Sequence, residues 1–186
     1  MTKKVKRIIG IDPGTNVMGY ALIEVHGQDV KMLNVGVFKL QKFESQQEKL
    51  KEIYLQTQEI IESYMPDQMA IEAPFFGKNV QSMLKLGRAQ GVAMAAAITM
   101  GLHISEYSPK KIKKSITGNG NASKEQVSSM LESILNTKLN STYLDASDAL
   151  ATAMCHYYQN GKPSSGQKQY KNWTSFLSDN KNRIVG

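Results

Sequence analysis

The feature that most constrains this chain is an apolar run, Lys6 to Asp12, that ends on a carboxylate and then on Pro13-Gly14. An acid half-buried in an apolar strand is costly unless a cation or hydrogen-bond donor meets it. A turn signal directly after it places the acid at a strand end, where ligand sites of α/β sheets gather. Two further β-like segments follow, Val17 to Val25 and Val30 to Leu40, separated only by His26-Gly27-Gln28-Asp29. Such short connections predict an antiparallel meander.

The pattern then changes. Ser45 with Glu48 forms a capping box that opens a helix to Tyr64, with Leu50, Ile53, Tyr54, Ile60, Ile61 and Tyr64 at helical spacing. Gln68 to Ala73 is a short apolar run between Pro66 and Pro74 and reads as a strand. A helix from Val80 to Met100 and a strand from His103 to Tyr107 follow. Lys110 to Ile116 supplies one or two helical turns. Ser123 with Gln126 opens a helix to Leu135, and Asp145 opens a last one to Tyr158. Three hairpin-linked strands followed by strand–helix units imply an α/β domain with a mixed five-stranded sheet and helices on both faces. That domain spans residues 1–160. Residues 161–186 are basic and rich in Gly, Ser and Lys, and read as a largely disordered tail. In the second helix, Gly87, Gly91 and Ala95 recur every four residues; this smooth stripe permits close approach either to the helix's own sheet or to a partner subunit, core packing being the preferred reading, and Met94 and Met100 are read as core.

Composition narrows the class. Hydrophobic residues are 41% and charged residues 21% of 186, the balance of a folded domain. A lone cysteine, Cys155, excludes an internal disulfide, and three scattered histidines do not make the usual structural zinc site. A reducing, cytoplasmic setting is expected. No apolar run is long enough to span a bilayer. The net charge of +7 favours a polyanionic partner. Its basic residues cluster in Lys3 to Arg7, Lys110 to Lys124 and Lys162 to Arg183, and the last two stretches hold only Asp179 as counter-charge.

Four acids stand in apolar or small-residue surroundings: Asp12, Glu72, Asp145 and Asp148. Asp12 alone is equally compatible with a turn hydrogen bond to backbone N–H groups. Glu72 lies within Met69-Ala70-Ile71-Glu72-Ala73, where turn chemistry does not explain it, although a structural salt bridge would. Asp145 and Asp148 are three apart and share a helix face. Helix capping and the N-terminal dipole offer an alternative reason for that pair. If the four converge, they repel one another unless divalent cations neutralise them. Oxygen-only ligands select hard cations such as Mg²⁺ or Mn²⁺. Two such ions roughly 4 Å apart can activate water and stabilise the leaving oxygen of a phosphodiester.

At these residues the sequence resembles the RuvC family of Holliday junction resolvases, or crossover junction endodeoxyribonucleases. The resemblance runs from Arg7 to Tyr158. It is carried by Ile9-Gly10-Ile11-Asp12-Pro13-Gly14-Thr15, by Ala70-Ile71-Glu72 with Lys78-Asn79, by Leu84-Lys85-Leu86-Gly87 with Gly91-Val92-Ala93, and by Asp145-Ala146-Ser147-Asp148-Ala149-Leu150-Ala151. It implies a ribonuclease H-like fold and makes Asp12, Glu72, Asp145 and Asp148 the metal-binding, catalytic acids, with two Mg²⁺ ions per site and Mn²⁺ as a substitute. Some members carry His at the last of these positions. It also implies DNA contacts from Phe75, Lys78, Asn79, Lys113 and Lys124, with Phe75 stacking on bases at the junction centre. A homodimer, a four-way DNA junction as substrate, and a branch-migration complex of RuvA and RuvB as partner complete the implication.

Three other readings are weighed. An actin-like or sugar-kinase ATPase would use Gly10 to Thr15 as a phosphate loop, but needs two copies of the fold. A related ribonuclease H-like nuclease would act on RNA or RNA–DNA hybrids. A non-catalytic DNA-binding module would have no use for four acids.

Overall fold

The structure is a computed structural model that describes residues 5–74, 79–139 and 144–160. Its elements, in chain order, are β1 (Lys6–Asp12), β2 (Val17–His26), β3 (Asp29–Lys39), α1 (Gln46–Tyr64), β4 (Gln68–Glu72), α2 (Val80–Thr99), β5 (His103–Tyr107), α3 (Pro109–Thr117), α4 (Lys124–Leu135) and α5 (Leu144–Asn160). Phe75, Phe76, Lys78 and the tail after Asn160 lie outside the described residues.

The strands form one sheet in the order β3-β2-β1-β4-β5. β1, β2 and β3 are antiparallel, as hairpin-length connections require. β4 runs parallel to β1 and β5 parallel to β4, because α1 and α2 carry the chain back across the sheet each time. The mixed five-stranded sheet expected from the element order is therefore present. The two expected capping boxes form as well, at Ser45–Glu48 and Ser123–Gln126.

Alternation along β1 sorts two cores. Ile9 and Ile11 pack with Ile53 and Ile61 of α1 and with Ala89, Ala93 and Ala97 of α2. Ile8 faces the other side, with Ile112 and Ile116 of α3, Leu131 of α4, and Ala149, Leu150 and Ala153 of α5. Met94 and Met100 are half-buried against the first core, as expected. The small-residue stripe of α2 is not core: Gly91 and Ala95 are exposed, and a Cβ added at Gly87 or Gly91 would meet nothing within 4 Å. The helix buries the adjacent face instead, through Ala89, Gln90, Ala93, Ala96 and Ala97. No helix among the described residues is long and apolar enough to cross a membrane.

Two glycines set the height of α5 above the sheet. A Cβ on Gly10 would lie 2.2 Å from the Ala149 carbonyl oxygen, and one on Gly19 would lie 2.0 Å from that of Asp145. Main chain therefore rests on main chain, and the first turns of α5 lie directly against the end of β1.

At the other end of α5, His156 is 1% exposed. One ring nitrogen meets the Tyr107 hydroxyl at 2.8 Å and the other meets Gln68 Oε1 at 2.8 Å. Burial pushes its pKa down to about 4 from 6.5, so the fold holds the neutral ring. The unfolded chain takes up this proton below about pH 6.5, and the folded chain only below about 4. The stability from the neutral ring is thus complete above pH 6.5 and is lost as pH falls toward 4. The shift corresponds to on the order of 3 kcal/mol. Urea unfolding of wild type and His156→Gln across pH 4–7 should diverge by this amount, with the wild type losing more on acidification. Parallel curves would remove His156 from the acid response.

Candidate active site

The carboxyl end of β1 delivers Asp12, and β4, its parallel neighbour, delivers Glu72 one strand away. Asp145 and Asp148 come from the first turns of α5, which the contacts at Gly10 and Gly19 press onto the same end of the sheet. Asp145 follows Leu144, the first residue of α5, so it belongs to the first turn. The spacing of three turns it and Asp148 toward β1.

The acids meet. One carboxylate oxygen from each of Asp12, Asp145 and Asp148 lies within 4.8 Å of the others. Glu72 is not in that group of three, but its charge is felt: after burial, Glu72 is the largest influence on Asp12, followed by Asp148. These push Asp12 up to about 8 from 3.8. Burial first and Asp148 second push Glu72 up to about 7 from 4.5, against the pull of Lys124 and Lys113. Both groups thus hold protons near neutral pH while only protein surrounds them. Such acids bind a divalent cation in exchange for those protons.

Lys124, at the start of α4, reaches into this group. It hydrogen-bonds Asp148, and its Nζ lies 3.9 Å from Asp145 Oδ1. Lys113 on α3 is half-buried and near enough to lower the Glu72 pKa. Both lysines thus border the acids. Asn79, exposed just before α2, caps that helix by accepting from the Ser82 N–H at 3.1 Å. Its amide N–H groups remain available as donors.

Some contributors escape sequence reasoning. Gln90, 6% exposed on α2, donates to Glu106 at 2.9 Å and to the Glu72 backbone carbonyl at 3.4 Å, so it braces β4 and β5 behind the acid. An amide set between small residues, Ala89-Gln90-Gly91, is the signal that could have marked it. Gly10 and Gly19 carried no signal separating close approach from ordinary strand glycine.

A family model described as crossover junction endodeoxyribonuclease RuvC matches residues 8–156. A protein of that name from Christiangramia forsetii is 53% identical, covering 98% of this chain and 94% of that protein. One from Bacteroides fragilis is 52% identical, covering 97% of each. The structure of Thermus thermophilus RuvC in complex with a Holliday junction substrate superimposes with a TM-score of 0.75 at 30% identity, over 83% of this chain and 94% of that one. Fowlpox virus resolvase shares the fold at 11% identity, with a TM-score of 0.54. This chain belongs to the RuvC family of crossover junction endodeoxyribonucleases, with its ribonuclease H-like fold.

Proposed function

We propose that this protein is a structure-selective endodeoxyribonuclease that resolves four-way DNA junctions, hydrolysing phosphodiesters in two opposing strands during recombination and repair. The observation that carries this reading is the convergence of Asp12, Asp145 and Asp148 within 4.8 Å, with Glu72 beside them, in a family with a member solved on a Holliday junction.

The donor set fits divalent metal. It is all oxygen, and two of its members hold raised pKa values that a cation would relieve. Asp12, Glu72, Asp145 and Asp148 would hold Mg²⁺, two ions per site with Mn²⁺ as substitute, and bound metal supplies an activated water and neutralises charge at the leaving oxygen. The chain's own residues do the rest. Asp12 and Glu72 give up their protons as the site loads. Asp145 and Asp148 complete the donor set from α5. Lys113 and Lys124 hold the phosphates that flank the scissile bond. Phe75, Lys78 and Asn79 engage the opened junction centre, Phe75 by stacking.

A two-fold substrate calls for a two-fold enzyme. We place the homodimer contact on α2, where Val80, Leu84, Gly87, Gly91, Ala95 and Ile98 form one stripe at helical spacing. Val80, Leu84 and Ile98 are 62%, 51% and 60% exposed. A second copy supplies the matching stripe. A branch-migration complex of RuvA and RuvB, and a cytoplasmic setting, belong to the same proposal.

The reading is tested with a synthetic four-way junction, a duplex of the same sequence and an RNA–DNA hybrid, each with and without Mg²⁺. Junction cutting that requires metal and exceeds the other two is expected; preferential cutting of the hybrid would replace this reading with an RNA-directed nuclease. Two variants separate contacts. Lys113→Ala should lower the slope of log affinity against log salt by about one, the signature of a lost phosphate contact. Phe75→Ala should lose roughly 1–3 kcal/mol on junction and little on duplex, because stacking needs unpaired bases. Equal loss on both substrates would assign Phe75 a role other than stacking on the junction centre.

A further inference from the structure

We propose that Lys111, Lys114 and Tyr158 form a second phosphate-binding subsite, which grips the backbone of a duplex arm after it leaves the acids. The proposal rests on the nuclease reading above for the identity of the strand, and on a separate set of observations for the subsite. A cavity of about 470 Å³ opens between α3 and α5, lined by Lys111, Lys114, Ser115, Tyr158 and Gln159. Both lysines are exposed. Among the described residues neither forms an ion pair, and no acid occurs in sequence from Lys110 to Lys124. Two uncompensated cations at one cavity mouth favour an anion with several acceptor oxygens.

The local geometry holds these donors ready. The Lys111 ammonium lies 4.9 Å over the Tyr107 ring, which steadies the side chain while its N–H groups remain unpaired. Burial pushes the Tyr158 phenol above its ordinary value, so its hydroxyl stays a donor at any working pH. Gln159 adds an amide. Ser115 donates to the Ile112 carbonyl at 2.7 Å, so it lines the cavity without contributing a donor.

Position connects the cavity to the active site. Lys113 lies near enough to Glu72 to lower its pKa, and Lys111 lies two residues away, roughly 200° around α3, so the helix presents lysines on both sides. From Asp148 to Tyr158 the axis of α5 advances roughly 15 Å. At 3.4 Å per base pair that is roughly four base pairs of duplex. A strand held at the acids and running along α5 would pass the Lys111–Lys114 cavity with its next few phosphates. A neutral ligand would leave both ammonium groups without partners.

The test is fluorescence anisotropy of a four-way junction with long arms, in EDTA, across a salt series. Lys111→Ala/Lys114→Ala should weaken binding roughly tenfold at low salt and reduce the slope of log affinity against log salt by about two, one per lost phosphate contact. Lys111→Arg/Lys114→Arg should restore both. Lys51→Ala, an exposed lysine of α1 on the opposite face, should keep the wild-type slope. A double-alanine slope equal to that of wild type, or lowered no more than by Lys51→Ala, overturns the subsite. The same slopes are read on plain linear duplex. Failure of the nuclease reading would appear separately, as a wild type that binds duplex and junction alike and cuts neither. A wild type that binds no DNA overturns both.

Discussion

Replacing any one of Asp12, Glu72, Asp145 or Asp148 by its amide is expected to lower junction cleavage by more than about a hundredfold while leaving junction binding near that of wild type. Removing a mere second-sphere partner of a metal site already costs about 10–100-fold, so loss of a direct ligand exceeds that. Binding survives because Lys and Arg contacts to phosphate supply the affinity, and acids facing a polyanion supply none. The same variants carry an opposite effect on the fold. The Asp12 pKa rises to about 8 in the folded chain from 3.8, so folding without metal becomes less favourable as pH rises from about 4 to 8. Asp12→Asn removes that cost, on the order of 5 kcal/mol at pH 8. Melting in EDTA at pH 8 should therefore find Asp12→Asn more stable than wild type, and saturating Mg²⁺ should narrow or reverse the gap. A variant cutting near the wild-type rate with Mg²⁺ would strike that residue from the site. A less stable Asp12→Asn would refute the crowding of charge.

Placing charge on the α2 stripe should separate the two copies and change the product. Leu84 and Ile98 are half exposed, and covering each exposed half contributes roughly 1 kcal/mol. Two-fold symmetry counts every residue twice. Leu84→Glu/Ile98→Glu thus forfeits roughly 4 kcal/mol and adds repulsion, raising the dimer dissociation constant at least about a thousandfold. On a supercoiled plasmid with an extruded cruciform, wild type should give linear product directly, since both cuts fall within one complex. The variant should accumulate nicked circles. Its acids are untouched, so single nicks should persist. A variant that stays dimeric by light scattering, or a wild type that is monomeric on and off the junction and leaves nicked circles, would end the dimer proposal.

Most strand and helix bounds were legible because apolar runs are punctuated by Pro13, Pro66, Pro74 and Pro109, and because Ser45 and Ser123 announce their helices with a reciprocal cap. Side-chain chemistry read less evenly. Asp145 and Asp148 advertise a shared face through their spacing, but their meeting with Asp12 depends on how α5 lies on the sheet. The Lys124–Asp148 contact joins residues 24 apart, and nothing in the sequence announced it; the resemblance implied only a DNA contact for Lys124. The α2 stripe misled for a physical reason. Glycine and alanine suit a tight interior and a smooth exterior alike, and on this helix Ala89, Ala93, Ala96 and Ala97 are buried while Gly91 and Ala95 are exposed.

The seat of α5 on Gly10 and Gly19 has a consequence for tolerance to change. Side chains that pack can relax by rotating, but two carbonyl oxygens standing where a methyl would go cannot. Any substituent at either position lifts α5 from the sheet, and with it two of the four acids, away from a partner fixed on β1. The proposed metal-dependent hydrolysis has little slack for such a displacement. A saturation screen scored only on DNA cutting should accordingly find these two glycines as intolerant as the carboxylates themselves, although neither has a side chain with which to touch DNA.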